Sequence, residues 1–195
     1  MAEPVSTGAV PGQRRSARAL GEWLVIIVVA VGVALLIRAF LFQPFYIPSP
    51  SMSPTLQVGD RVLVNKVSYD LHSIHRGDIV VFAKPPNDSS PGIKDLIKRV
   101  IGLPGETIQG IDGLVYVNGR KLSEPYLPHQ SVANATRSAF PATFPATAIP
   151  AGDYYVLGDN RSNSADSRFI GPIPGKLIVG RAFFRLWPLS AVGTI

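Results

Sequence analysis

A chain of 195 residues with 18 prolines, 18 glycines, 46% apolar and only 16% charged residues suits one loop-rich β domain plus an appendage, and is too apolar for wholesale disorder. It has no cysteine, which excludes disulfides, thiol catalysis and thiolate metal sites; its three histidines, at 72, 75 and 129, stand in no ligand spacing, so no metal or other cofactor is expected. The formal net charge of +6 suits contact with anionic lipid head groups and is too weak and scattered for nucleic acid.

In chain order, residues 1–22 read as a polar, mobile tail with an arginine cluster at Arg14, Arg15 and Arg18. Trp23 to Ile37 is an unbroken apolar run. Counted through Phe42, it supplies about the twenty residues that a membrane-spanning helix needs. Arg38 sits near one end, where its guanidinium can reach the interface. No small-x-small pair follows the run, so it reads as an uncleaved single-pass anchor over 23–43 rather than a removed leader. The arginines ahead of it place the N-terminus inside and everything after it outside.

The stretch Tyr46 to Leu56 follows, rich in serine and proline. Prolines at 48, 50 and 54 each fix one φ angle, giving a stiff loop able to present a side chain without further ordering. Ser49, Ser51 and Ser53 are its candidate nucleophiles. Apolar strands are predicted over 61–67, 79–82, 96–101 and 154–157, with a last strand region over 176–187. Asn118-Gly119 joins 114–117 to 120–122 as a hairpin with a type I′ turn. Residues 128–150 read as loop and hold a small tandem, Phe140-Pro-Ala-Thr and Phe144-Pro-Ala-Thr. Together these predict an all-β, mainly antiparallel outer domain over 44–195. Its core is expected at about 44–103 and 150–190, with an inserted β lobe at 104–149. The Phe140–Phe144 loop or the aromatics at 42–46 are expected to touch the bilayer.

Two further stretches point to chemistry. Alternation along 96–101 puts Lys98 on one face with Leu96 and Val100, and Arg99 on the other with Ile97 and Ile101. One cation must therefore share a face with apolar neighbours. A buried lysine is pushed toward its neutral form, which is a competent base for a serine hydroxyl. The loop Gly158 to Arg168 packs small, polar and charged residues between apolar strands, with Asp166 and Arg168 placed to pair. A Ser-His-Asp hydrolase would need His72, His75 or His129 beside a serine, and nothing in the spacing sets one there. A membrane-anchored, non-catalytic β module explains the anchor and strands but not Ser51, Lys98 and Ser164 occurring together.

Three segments in combination closely resemble bacterial type I signal peptidases: Pro-Ser-Pro-Ser-Met-Ser-Pro-Thr-Leu (48–56), Lys-Arg-Val-Ile-Gly-Leu-Pro-Gly (98–105) and Gly-Asp-Asn-Arg-x-x-Ser-x-Asp-Ser-Arg (158–168). Arg-Gly-Asp-Ile-Val-Val-Phe (76–82) matches a fourth family segment, and the resemblance covers about residues 20–188. It implies a Ser/Lys-dyad peptidase with Ser51 as nucleophile and Lys98 as general base. Ser49 would lend its hydroxyl to the oxyanion hole and Ser164 would orient the Lys98 amine. Arg99 with Asp159, and Asp166 with Arg168, would buttress the site. Phe45, Ile47, Met52, Leu56, Leu96 and Ile97 would line shallow pockets for small residues of the substrate. The implied partners are secretory preproteins, the lipid bilayer and, by proximity, the translocation machinery. The implied location is the bacterial cytoplasmic membrane, with the catalytic domain outside. The chain departs from the family at Pro50, where glycine is common.

Overall fold

The computed structural model describes residues 13–88, 92, 94–127 and 141–195, and within these the side chains of 13–21 and 36–40 are left undescribed. The chain divides between Phe40 and Leu41 into two units. The first is taken up by α1 (Gln13–Leu41), a helix that begins ahead of the apolar run, inside the stretch expected as a mobile tail. Its described side chains, Glu22 to Leu35, are all exposed, and all but Glu22 are apolar or glycine. Among the described residues no helix is long and apolar enough to cross a membrane.

The second unit is mainly β, and both its sheets are antiparallel. The larger has eight strands in the order β1 (Phe42–Tyr46), β2 (Arg61–Asn65), β11 (Ile178–Trp187), β3 (Ile79–Ala83), β4 (Asp95–Gly102), β9 (Asp153–Leu157), β10 (Ile173–Pro174), with β12 (Gly193–Thr194) on β11. The smaller has four: β7 (Arg120–Lys121), β6 (Leu114–Val117), β5 (Thr107–Ile111) and β8 (Phe144–Ala148). Two one-turn helices, α2 (Ser68–Leu71) and α3 (Ser167–Ile170), complete the regular structure that bears on the site.

Why these strands form is plain from their burial. β3 is apolar on both faces and buried over Ile79–Phe82, as a central strand should be. Its faces feed two clusters: Ile79 and Val81 pack with Ile47, Met52, Leu56, Val62, Val64 and Ile97, while Val80 and Phe82 pack with Val100, Val156 and Ile173. The β6–β7 hairpin turns at Asn118 (φ 50°) and Gly119 (φ 76°), the two positive φ values that a type I′ turn demands.

Five strands were not expected, among them β10 and β12, of two residues each. β1 takes Phe42 out of the predicted anchor and pairs it with Asn65. β5 has only Ile108 and Ile111 as large apolar residues, with Gly110 between them, so alternation alone gives it little signal. β8 is the second copy of the tandem, and here one expectation is corrected. Phe144 does not face a bilayer: it is buried, stacked at 5.8 Å on Tyr155, and its ring fills the space where a Cβ on Gly110 would stand. A buried aromatic stacked on a second ring gains more from the core than from an interface. Phe140 and His129 lie outside the described residues.

Candidate active site

The serine loop holds a single 3₁₀ turn, Pro50–Met52, closed by the Ser53 N–H donating to the Pro50 carbonyl at 3.0 Å. Proline suits that first position, where its fixed φ helps and its missing N–H is not needed. The turn buries Ser51 and Met52. Lys98 enters from β4, opposite Val80 of β3, and is only 3% exposed. Its Nζ donates to Ser51 Oγ at 2.9 Å and to the Ile97 carbonyl at 2.9 Å. Burial pulls the Lys98 amine down from its ordinary value to about 8, against the opposing pull of Asp166, Asp88 and Asp159. An amine so depressed and so close is placed to take the proton of the Ser51 hydroxyl.

The loop after β9 locks this pair from behind. The Asn160 N–H donates to the Ser51 carbonyl at 3.0 Å, and its side-chain amide donates to the Pro50 carbonyl at 3.1 Å. Arg99, next to Lys98 on the strand, forms a buried two-point pair with Asp159: Nε to Oδ1 at 2.9 Å and Nη2 to Oδ2 at 2.7 Å. Thr55 hangs the end of the serine loop on the same carboxylate, its hydroxyl donating at 2.5 Å. Asp166 caps α3, pairs with Arg168 at 2.8 Å through both oxygens, and accepts the Gly158 N–H at 3.0 Å.

A family description reading "Signal peptidase, peptidase S26" matches residues 20–187 of this chain. The chain belongs to that family. It is 42% identical over 177 residues to a probable signal peptidase I-1 of Synechocystis, covering 89% of this chain and 86% of that one. It is 39% identical over 192 residues to signal peptidase I T of Bacillus subtilis, covering 97% of each. Among solved structures, a signal peptidase I from Enterococcus faecalis is 35% identical, with a TM-score of 0.43, covering 56% of this chain and 97% of that one. This S26 chain is thus an enzyme, a serine peptidase.

Within the S26 site the remaining expected residues fall out as follows. Ser49 Oγ lies 3.3 Å from Ser51 Oγ. Ser164 is 1% exposed and does not bond Lys98; its Oγ has no hydrogen-bond partner among the described residues and lies against Gly158. Ile47, Met52, Leu56 and Ile97 form one cluster with Phe45 at its edge. Leu96 packs instead against Val80 and Phe82 on the other side of β4, because adjacent residues of a strand point to opposite faces. His72 and His75 are exposed, whereas the Ser51 hydroxyl is engaged by Lys98 and Ser49. Ser53 turns away, donating to the Leu56 carbonyl and to Gln57.

Several contributors had no distinct sequence signal. Thr55, Asn160 and Arg161 were visible only as members of matched motifs, with nothing to say what they hold. Glu124 and Tyr126 lie in the inserted segment and reach the site only through the tertiary fold.

Proposed function

We propose that this peptidase is a membrane-anchored signal peptidase that removes N-terminal signal peptides from exported preproteins, cutting after small-x-small sequences of the Ala-x-Ala kind. The contact that carries the reading is the 2.9 Å reach between the buried Lys98 amine and Ser51 Oγ, in a chain of the signal peptidase family. Ser51 is the nucleophile and neutral Lys98 the base. Lys98 takes the hydroxyl proton as Ser51 Oγ attacks the scissile carbonyl. The negative charge that develops on the carbonyl oxygen is met by the Ser51 N–H and, after rotation of its side chain, the Ser49 hydroxyl. The protonated amine then gives its proton to the departing amide nitrogen. Water, deprotonated by the same amine, releases the signal peptide from its ester on Ser51. Ser164 borders Gly158, beside the Ser51 carbonyl.

α1 is the anchor, with Arg14, Arg15 and Arg18 on the inner side and the β domain outside. The support is a helix whose described side chains past Glu22 are apolar and exposed all round, a pattern stable only against lipid or other protein. The substrate lies extended beside 45–49 and 95–98. The cluster of Ile47, Met52, Leu56 and Ile97, whose side chains are buried against one another, floors the pockets for the first and third residues before the cut. The tail is 1–22 and the anchor starts at Trp23; because Phe42 and Gln43 belong to β1, the anchor ends at Leu41 and the peptidase domain runs over 42–195.

The test is cleavage of a purified Ala-x-Ala preprotein, with the new N-terminus read by mass spectrometry. Replacing either Ala by Leu is expected to lower cleavage by about 100-fold or more, since overfilling a packed site displaces the scissile bond. Equal turnover of Ala and Leu precursors would overturn the pocket assignment.

The pH dependence follows from Lys98. Its value of about 8 means that the working neutral amine is the minority form at pH 7. Cleavage (kcat/KM) is expected to rise roughly tenfold per pH unit below about 8 and to level off above it. A rate flat from pH 6 to 9 would remove Lys98 as the base.

A further inference from the structure

The segment 122–127 follows β7 in the four-stranded sheet, and Leu122 and Tyr126 pack on the cluster around Ile101 and Ile108. Two of its side chains go further and reach the back of the dyad. The Glu124 carboxylate accepts Arg161 Nη1 at 3.0 Å, Arg161 Nη2 at closer range, and the Tyr126 hydroxyl at 2.7 Å. The pair is buried, with the Arg161 side chain 3% and that of Glu124 8% exposed. The remaining donor of Arg161, Nε, goes to the Gly158 carbonyl at 3.1 Å. The Tyr126 ring lies 4.1 Å from the Arg99 guanidinium carbon, and Arg99 holds Asp159 at two points. One route ends on the Gly158 carbonyl and the other on the Asp159 carboxylate, next to the Asn160 N–H that holds the Ser51 carbonyl.

We propose that Glu124 is a positioning residue of this peptidase. By holding Arg161 on the Gly158 carbonyl, and Tyr126 over Arg99, it fixes 158–160 so that Ser51 stays within reach of Lys98. This rests on the reading of Ser51 and Lys98 as the dyad. The physical reason is that Arg161 is charged at any ordinary pH and buried. Its orientation is set by a charge-assisted two-point contact. Without the carboxylate, the guanidinium must turn toward water or toward Asp159, and either turn takes Nε off Gly158. A shift of the order of 1 Å in a nucleophile is enough to lower a rate by about 100-fold.

The experiment measures kcat, KM and melting temperature for the full chain carrying Glu124→Gln, the pair Glu124→Leu with Arg161→Met, and Ser51→Ala. Glu124→Gln is expected to lower kcat by about 30- to 100-fold with KM changed by less than about threefold, because no proposed substrate contact is touched. The double variant replaces a buried ion pair by apolar side chains, so its melting temperature returns toward wild type. Its kcat stays low, because the Gly158 carbonyl has lost its donor. A double variant with wild-type kcat would overturn the proposal, as would Glu124→Gln within twofold of wild type. If Glu124→Gln does not fold, the double variant decides alone. Ser51→Ala cleaving at the wild-type rate would overturn the dyad and the role of Glu124 with it, an outcome distinct from either of the others.

Discussion

Ser51→Ala and Lys98→Met are each expected to lower cleavage by at least about 10⁴-fold, because members of a nucleophile–base pair act as a unit and losing either loses the step. Ser53→Ala should remain within a few-fold of wild type. Ser53 Oγ bonds the Leu56 carbonyl and Gln57, not Lys98. The two inactive variants should part company in stability. Lys98 has a folded value of about 8 against an ordinary 10.5. The unfolded chain therefore binds the extra proton between those values, and stability from this residue rises with pH across that window. Below about 8 the charged amine is buried at full penalty, roughly 3 kcal/mol from the shift. Methionine fills the same space without charge. Lys98→Met is thus expected to raise stability at pH 7 by about 1–3 kcal/mol, and the gain should shrink toward pH 10. Urea unfolding at both pH values, alongside the cleavage assay, checks this. A destabilised Lys98→Met at pH 7 would mean that the amine is not held under strain. Retained activity in either variant would move the chemistry elsewhere.

The close approach of Ser51 and Lys98 was legible because each stretch broke a local rule. Lys98 is a cation on a strand whose neighbours all belong in a core, and Pro48, Pro50 and Pro54 stiffen a loop that needed no stiffness to be a linker. The central strands were legible for the opposite reason. β3 and β4 obey the apolar pattern of buried strands so strongly that only their ends were uncertain. What stayed hidden was set by partners distant in sequence. β8 begins with Phe144 stacked on Tyr155 and is paired to β5 at Thr107, Ile108 and Gly110. Nothing local distinguishes its Phe-Pro-Ala-Thr from the copy before it. Leu96 was assigned by its motif to the substrate pockets together with Ile47, Met52, Leu56 and Ile97, and it packs on a different cluster from theirs. Glu124 is an ordinary acidic residue in sequence, and only the fold brings it to Arg161.

Gly158→Ala is expected to cripple cleavage. A Cβ there would stand 2.2 Å from Ser164 Oγ, 2.4 Å from the Ser51 carbonyl oxygen and 2.5 Å from Ser164 Cβ. Its φ is not the obstacle, since Gly158 is absent from the positive-φ glycines; the need for glycine is one of space. The backbone cannot retreat easily, because the Gly158 N–H is held by Asp166 at 3.0 Å and its carbonyl by Arg161 at 3.1 Å. Overpacking of this kind costs about 1–3 kcal/mol. The larger effect falls on rate, because the atom with least freedom to move aside is the carbonyl of Ser51, the proposed nucleophile. Cleavage is expected to fall by about 100-fold or more while the domain still melts cooperatively. Adding Ser164→Gly removes two of the three obstacles and leaves the Ser51 carbonyl. The pair of substitutions should therefore regain melting temperature more fully than rate. Full recovery of rate would place the steric conflict on Ser164 alone, and separate the 158–164 contact from the position of Ser51.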